Sequence, residues 1–93
     1  MNNNIKAKIS VNGKVQGVWF RAFTRDRATE LGLTGWVKNE TDGTVYLEVE
    51  GNKPKLELLM NELKAGPGRS VVDDVEVDWT SAENQWNEFT IRD

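Results

Sequence analysis

The chain has 93 residues, so we expect one domain with a single core over residues 1–93. It carries 12 Lys and Arg against 15 Asp and Glu, a formal charge of −3, which argues against a general binder of nucleic acids. It contains neither Cys nor His, which excludes disulfides, thiolate nucleophiles, cysteine metal sites and imidazole acid–base catalysis. The carboxylates show no metal-loop pattern, so we expect no metal and no cofactor.

The first residues, 1–4, are expected to be disordered, and they show neither the cationic region nor the apolar stretch of a secretory signal. No segment approaches the roughly 20 apolar residues that a membrane-spanning helix needs. The sequence therefore predicts a cytoplasmic protein without a membrane partner. We also expect a monomer, although no pattern in the sequence bears on the oligomeric state.

The first predicted elements are a strand and a helix joined by a glycine-containing segment. Residues 5–12 alternate apolar and polar side chains, the pattern of a half-buried strand. From Phe20 the period becomes helical, with one stripe formed by Phe20, Phe23, Arg27, Ala28 and Leu31. Residues 13–21 therefore lead into a helix N-terminus, where unpaired N–H groups and the helix dipole favour an anion and Arg21 adds a forked cationic donor. This combination predicts an anion cradle.

A simpler interpretation of the same segment is a tight turn at Gly13 and Gly17, with Arg21 solvated in the first helical turn. However, a cation is electrostatically misplaced at the positive end of a helix dipole. An anion lying between Arg21 and the loop amides explains the arrangement better.

The remaining elements follow in chain order. We expect the first helix to end near residues 32–35 and to be followed by a strand at 36–40, a hairpin turn at 41–43 and a strand at 44–50. A second helix should begin at Pro54, carry the apolar stripe Leu56, Leu59, Met60 and Leu63, and end at residues 66–67. A strand at 74–79 and a short last strand at 89–91 should complete the chain. The order βαββαβ plus a terminal strand predicts an α+β, ferredoxin-like sandwich. Its antiparallel sheet would carry both helices on one face.

This topology brings distant residues together. The first two strands must run in the same direction, so Asn39, at the end of the second, should reach the same rim as Arg21. Alternatively, Asn39 simply opens the turn at 41–43. On the open face of the sheet, Lys6 and Lys8 are expected to pair with Glu48 and Glu50 across strands.

Two segments resemble signatures of the acylphosphatases. Residues 13–21, GKVQGVWFR, resemble the family's active-site loop, and residues 35–45, GWVKNETDGTV, resemble its second signature, an Asn with a later Gly-x-Val. The likeness extends over nearly the whole chain, except residues 1–4 and 80–86. It implies hydrolysis of acyl phosphates to carboxylate and inorganic phosphate, with water oriented by Asn39 and with phosphate held by Arg21 and by the amides of loop 13–20, chiefly those of Val15, Gln16, Gly17, Val18, Trp19 and Phe20.

The residues present also restrict the reaction. With no Cys, no His and no evident metal, a bound phosphate has no obvious covalent nucleophile and no imidazole acid. A carboxylate, whose conjugate acid has a pKa of about 4, leaves without a donated proton, whereas an alkoxide needs one. An acyl phosphate fits this restriction.

Two other functions use the same order of elements. One is an RNA-binding module, which needs exposed aromatic side chains on the sheet, where this chain offers Tyr46 among carboxylates. The other is a non-catalytic regulatory or assembly domain that binds a small anion.

Several further side chains receive an interpretation at this point. Trp19 either flanks an acyl pocket or has no contact with substrate. Trp36, Trp79 and Trp86 are interpreted as core or core-edge groups. Five cations are interpreted as solvated charges, namely Lys14, Arg25, Arg27, Lys38 and Arg69. Lys14 and Lys38 are expected to lie close enough to the proposed site to steer an anion.

Overall fold

The structure, a computed structural model, describes residues 3–92. The elements in this range are β1 (Ile5–Lys14), α1 (Phe20–Glu30), β2 (Thr34–Asn39), β3 (Val45–Gly51), α2 (Lys53–Ala65), β4 (Val71–Ser81) and β5 (Phe89–Ile91). Of the residues expected to be disordered, Met1 and Asn2 lie outside the described range, and Asn3 and Asn4 precede β1. None of the helices in residues 3–92 is long and apolar enough to cross a membrane.

The strands form one sheet in the order β4-β1-β3-β2-β5, and the predicted ferredoxin-like fold is confirmed. β1 pairs antiparallel with β3 and β4, and β2 pairs antiparallel with β3. The sheet is nevertheless mixed, because β5 pairs in parallel with β2, with Gly35 opposite Phe89 and Val37 opposite Ile91. β4 ends at the end of the sheet where β2 begins, so residues 82–88 cross along that end and enter β5 in the direction of β2.

The core lies between the sheet and the two helices. It contains the inward side chains of β1 and β3 and the buried stripe of α2, which are Ala7, Ile9, Val11, Val45, Leu47, Val49, Leu56, Leu59 and Leu63. Inward apolar side chains and outward polar side chains alternate along β1 and β3 as predicted, so the pairing register of the two strands agrees with their amphipathic pattern.

The predicted stripe of α1 is partly wrong. The buried residues of this helix are Phe20, Thr24 and Ala28, at successive i, i+4 positions. Thr24 is tolerated in the core because its hydroxyl donates to the carbonyl oxygen of Phe20 at 2.8 Å. Arg27 lies at the helix edge, where its guanidinium contacts Glu30 at 2.6 Å and Glu62 at 2.7 Å.

On the open face of the sheet the predicted charges lie opposite one another, and the predicted ion pairs form at Lys6. Lys6 lies opposite Glu50 and Lys8 opposite Glu48, and the Lys6 ammonium is 3.7 Å from Glu50 and 3.8 Å from Glu48. Lys6 also donates to Glu83, and the Glu50 carboxylate accepts the backbone N–H of Glu83 at 2.8 Å. These contacts fasten the crossing segment 82–88 to the sheet.

Trp36 is buried, but on this open face rather than between sheet and helices. Its ring lies 5.6 Å from that of Tyr46 and 4.4 Å from the guanidinium carbon of Arg92. The sheet therefore buries aromatic surface on both faces at this edge.

Candidate active site

The segment between β1 and α1 begins at a bulge. The pairing of β1 with β4 is irregular between Asn12 and Gly13, and Gly13 has φ of 131°. A Cβ at this position would lie 2.0 Å from the carbonyl oxygen of Val71. Glycine is therefore required where β1 approaches β4 and turns into the loop.

The loop ends at the N-terminus of α1. Trp19 occupies the N-cap in the left-handed region, with φ of 65° and ψ of 15°, and within residues 3–92 its side chain makes no capping hydrogen bond. The first turn contains no acidic residue and includes Arg21. The N–H groups of this turn and the positive end of the helix dipole thus face the loop, and the turn itself supplies no carboxylate to neutralise them.

The structure brings most of the predicted site residues to one cavity of about 550 Å³. Asn39, from the end of β2, lies there with the loop and α1, although it is 18 residues from Arg21 in sequence. The residues lining this first cavity are Val15, Gly17, Trp19, Phe20, Arg21, Ala22, Arg25, Asn39 and Ile91.

Asn39 is placed by the strand rather than by the turn. It pairs with Val45 as the last residue of β2, and the turn begins at Glu40, whose carbonyl oxygen accepts the N–H of Gly43 at 3.2 Å. Its Oδ1 is buried and accepts no hydrogen bond from the described residues. The amide oxygen can therefore accept a hydrogen bond from a donor bound in the cavity.

The turn after Asn39 is well braced. The Asp42 carboxylate accepts the Thr44 hydroxyl at 2.7 Å and the Thr44 N–H at 3.0 Å, and these hydrogen bonds lower the pKa of Asp42. Gly43 has φ of 94°, which glycine adopts without strain. The predicted turn at 41–43 is confirmed.

Gln16 connects the loop to this turn. Its Nε2 donates to the carbonyl oxygen of Glu40 at 2.8 Å and to that of Thr44 at 2.9 Å. The sequence pattern did not predict this contact, because it joins segments that lie 24 and 28 residues apart. The Gln16 side chain fixes the loop relative to the strand end that carries Asn39.

The other loop side chains have separate environments. Those of Val15 and Phe20 are 1% exposed and belong to the core, whereas Trp19 is 79% exposed. Val18 is partly buried against the core and, with Gln16, lines a neighbouring cavity instead of the first. Because the side chains of Val15 and Phe20 are buried in the core, only the backbone of these two residues is available to a ligand in the first cavity.

Arg25 is exposed, as its interpretation as a solvated charge expects, but it also lines the first cavity, which the sequence pattern did not predict. It lies one helical turn after Arg21, on the same side of α1, and its Nε is 3.2 Å from Asp26. The i, i+4 spacing from Arg21 was the available signal. Ile91 arrives on β5, whose parallel pairing no local pattern predicted.

The other cations interpreted as solvated are of two kinds. Arg27 is held by two carboxylates, chiefly Glu62, which raise its pKa, and Lys38 lies 3.3 Å from Glu40. Lys14 and Arg69 are exposed, as expected. Within residues 3–92, no cluster of three or more carboxylates has the geometry to hold a metal ion.

Comparisons with known proteins identify the family and the fold. The Acylphosphatase family model matches residues 7–91. An acylphosphatase of Salinibacter ruber is 48% identical over 82 residues, which cover 88% of this chain and 86% of the relative. The crystal structure of acylphosphatase from Bacillus subtilis has a TM-score of 0.92 at 35% identity and covers 96% of this chain and 99% of its own.

A further likeness is to part of a longer protein. Full-length HypF, crystallised in a phosphate- and nucleotide-bound form, has a TM-score of 0.91 at 31% identity, and the match covers 100% of this chain but 12% of HypF. The family model and the S. ruber relative both span most of the sequence. The chain therefore belongs to the acylphosphatase family.

Proposed function

We propose that the chain carries out its family's reaction, the hydrolysis of acyl phosphates to carboxylate and inorganic phosphate, in the first cavity. The observation that supports this most strongly is the meeting of the loop, Arg21 and Asn39 around one space at a helix N-terminus. An anion site and a polar group for water are thereby adjacent.

Phosphate binding is assigned to the loop amides and Arg21. Convergent N–H groups and the helix dipole stabilise negative charge, and the guanidinium provides a planar, two-point grip. Arg25 adds a second cation, and among the described residues no carboxylate lines the cavity. The site is therefore electropositive although the chain has a net charge of −3.

In the proposed reaction, the oxygen of a water molecule attacks phosphorus while the bond from phosphorus to the carboxyl oxygen breaks. The electron pair leaves with the carboxylate, which needs no donated proton at neutral pH. Charge on the equatorial phosphate oxygens is stabilised by the amides and Arg21. Asn39 holds the water through its amide, and the water's proton passes to a phosphate oxygen of the substrate.

The second candidate is a domain that binds a small anion without turnover. The likeness to a small part of HypF supports it, because there the same fold belongs to a much longer chain. The presence of Asn39 beside Arg21 favours turnover, since a static anion site needs no polar group to hold water. An RNA-binding module has less support, because the Tyr46 hydroxyl donates to Glu48 at 2.9 Å on a sheet face rich in carboxylates. That the enzyme acts as a cytoplasmic monomer stays a prediction from the sequence.

The test is hydrolysis of benzoyl phosphate beside glycerol phosphate, an alkyl ester, with excess chelator present. We expect rapid hydrolysis of the acyl phosphate, little of the ester and no effect of chelator. Comparable rates on both substrates, or loss of activity on metal removal, would show that the leaving-group reasoning is wrong. Phosphate binding without turnover would favour the non-catalytic domain.

A further inference from the structure

A second cavity of about 610 Å³ lies on the other side of the β1–α1 loop. Gly17 and Trp19 line both cavities, so the two spaces adjoin at these residues. A Cβ on Gly17 would meet no atom within 4 Å, which shows that the space around it is open. The residues lining this second cavity are Lys14, Gln16, Gly17, Val18, Trp19, Pro67, Gly68 and Arg69.

The fold holds the far wall of the second cavity in place. β1 and β4 pair with Lys14 opposite Val71, which brings the α2–β4 loop beside the end of β1. Within that loop, the N–H and hydroxyl of Ser70 donate to the carbonyl oxygen of Pro67 at 2.8 and 2.6 Å. Arg69 therefore extends from an ordered turn next to Lys14.

The charge of this cavity is opposite in sign to the net charge of the chain. Lys14 and Arg69 line it, and no carboxylate among the described residues does. Neither cation forms an ion pair within residues 3–92, whereas other cations of the chain do, namely Lys6, Arg25, Arg27 and Lys38. The cavity is thus a cationic space in a chain with a net charge of −3.

Its remaining walls are largely apolar. Val18 and Pro67 contribute aliphatic surface, and the Trp19 indole is 79% exposed at the junction of the two cavities. The left-handed backbone at Trp19, with φ of 65°, is unfavourable for a bulky residue. Strain and an exposed indole at one position point to a ligand contact there, because neither helps the fold.

We propose that the second cavity is the acyl subsite, and that it selects acyl phosphates whose acyl chain ends in a carboxylate. The phosphate lies in the first cavity, the methylene chain passes Gly17 and packs on Trp19 and Val18, and the distal carboxylate pairs with Lys14 and Arg69. This inference rests on the proposed function, whose site it extends.

The test compares glutaryl phosphate with valeryl phosphate, which have five carbons each and differ at the far end of the chain. The ratio of their kcat/KM values cancels any effect of a cation on the phosphate. An exposed ion pair changes such a ratio about two- to fivefold, so we expect wild type to favour glutaryl phosphate by about 4- to 25-fold. Lys14→Gln and Arg69→Gln should each lower the ratio of kcat/KM values about two- to fivefold, and the double variant should bring this ratio close to 1.

The matched control is Lys55→Gln, which removes an exposed cation of α2 that lines neither cavity and should leave the ratio unchanged. Binding provides a readout independent of turnover: 5-phosphonopentanoate should bind more tightly than pentylphosphonate, and the difference should vanish in the double variant. A ratio near 1 in wild type, or a preference that persists in the double variant, would overturn the acyl subsite. Failure to hydrolyse either substrate would instead refute the proposed function, and the phosphonates would still test the subsite.

Discussion

The bridge made by Gln16 allows a quantitative prediction. Gln16→Met keeps the length of the side chain but removes both donors to Glu40 and Thr44. Each lost hydrogen bond is worth about 0.5–1.5 kcal/mol net. Both carbonyl oxygens retain a second donor, since Glu40 accepts the N–H of Gly43 at 3.2 Å and Thr44 accepts that of Glu40 at 2.8 Å. No acceptor is left bare, so the expected loss of unfolding free energy is about 1–3 kcal/mol, a fall of roughly 4–8 °C in Tm for each kcal/mol.

The same variant should affect turnover more than phosphate binding. The proposed phosphate cradle belongs to the loop and α1, whereas Asn39 belongs to β2, and the Gln16 side chain joins the loop to the end of β2. A shift of about 1 Å in a positioned group can reduce rate by about 10²-fold, so we expect kcat to fall about 10- to 100-fold. The inhibition constant of inorganic phosphate should change much less.

Thermal unfolding, phosphate inhibition and turnover per folded molecule should be measured together. Thr44→Val is the matched control, because it removes the 2.7 Å hydrogen bond to Asp42 and weakens the same turn without touching the bridge. It should lose about 1 kcal/mol of unfolding free energy and keep its turnover. A Gln16→Met enzyme with full turnover, whatever its stability, would refute the positioning role.

Three further results are expected. Trp19→Gly should raise unfolding free energy by about 0.5–1 kcal/mol in thermal unfolding, because glycine relieves the left-handed strain and the lost side chain is 79% exposed; a lower Tm would show that the indole stabilises the fold. The hydrogen bond from Lys6 lowers the pKa of the Glu83 carboxyl below its ordinary value of 4.5. The stability that this ion pair contributes is therefore fully present above pH 4.5 and is lost as the pH falls through the folded-state pKa of Glu83. The difference in Tm between wild type and Glu83→Gln should therefore shrink below pH 4.5, and a difference that grows in acid would contradict this sign. Arg25→Gln should raise the phosphate inhibition constant about two- to fivefold, because this cation is exposed and shared with Asp26, and an unchanged constant would remove Arg25 from the site.

The parts of the site that the sequence predicted are those set by local pattern plus topology. Strand alternation, the change of period at Phe20 and the glycine turn at 41–43 placed the loop and Asn39 at one rim. Two parallel strands in a ferredoxin-like sheet were sufficient for that inference, without knowledge of any side-chain contact.

The parts that it missed depend on long-range packing. The Gln16 bridge, the entry of Ile91 on β5 and the burial of Trp36 on the open face each join segments far apart in sequence. An amphipathic pattern indicates that an aromatic side chain is buried but not which face of a sheet buries it. The crossing segment 82–88 is held by Lys6 and Glu50, which pair with Glu83 and with its backbone, and no local pattern in residues 80–86 encodes these partners.

The division of labour between Arg21 and Asn39 is the central claim, and Asn39→Ala tests it most directly. Turnover and the phosphate inhibition constant should be measured on one preparation, with Arg21→Lys beside it. Arg21→Lys should weaken phosphate binding as well as turnover, because an ammonium cannot reproduce the two-point grip. Asn39→Ala should lower turnover by about 10²–10³ while phosphate still binds, since a preorganised polar group at the reacting centre acts on the chemical step. An Asn39→Ala enzyme that is less stable but fully active per folded molecule would contradict the claim.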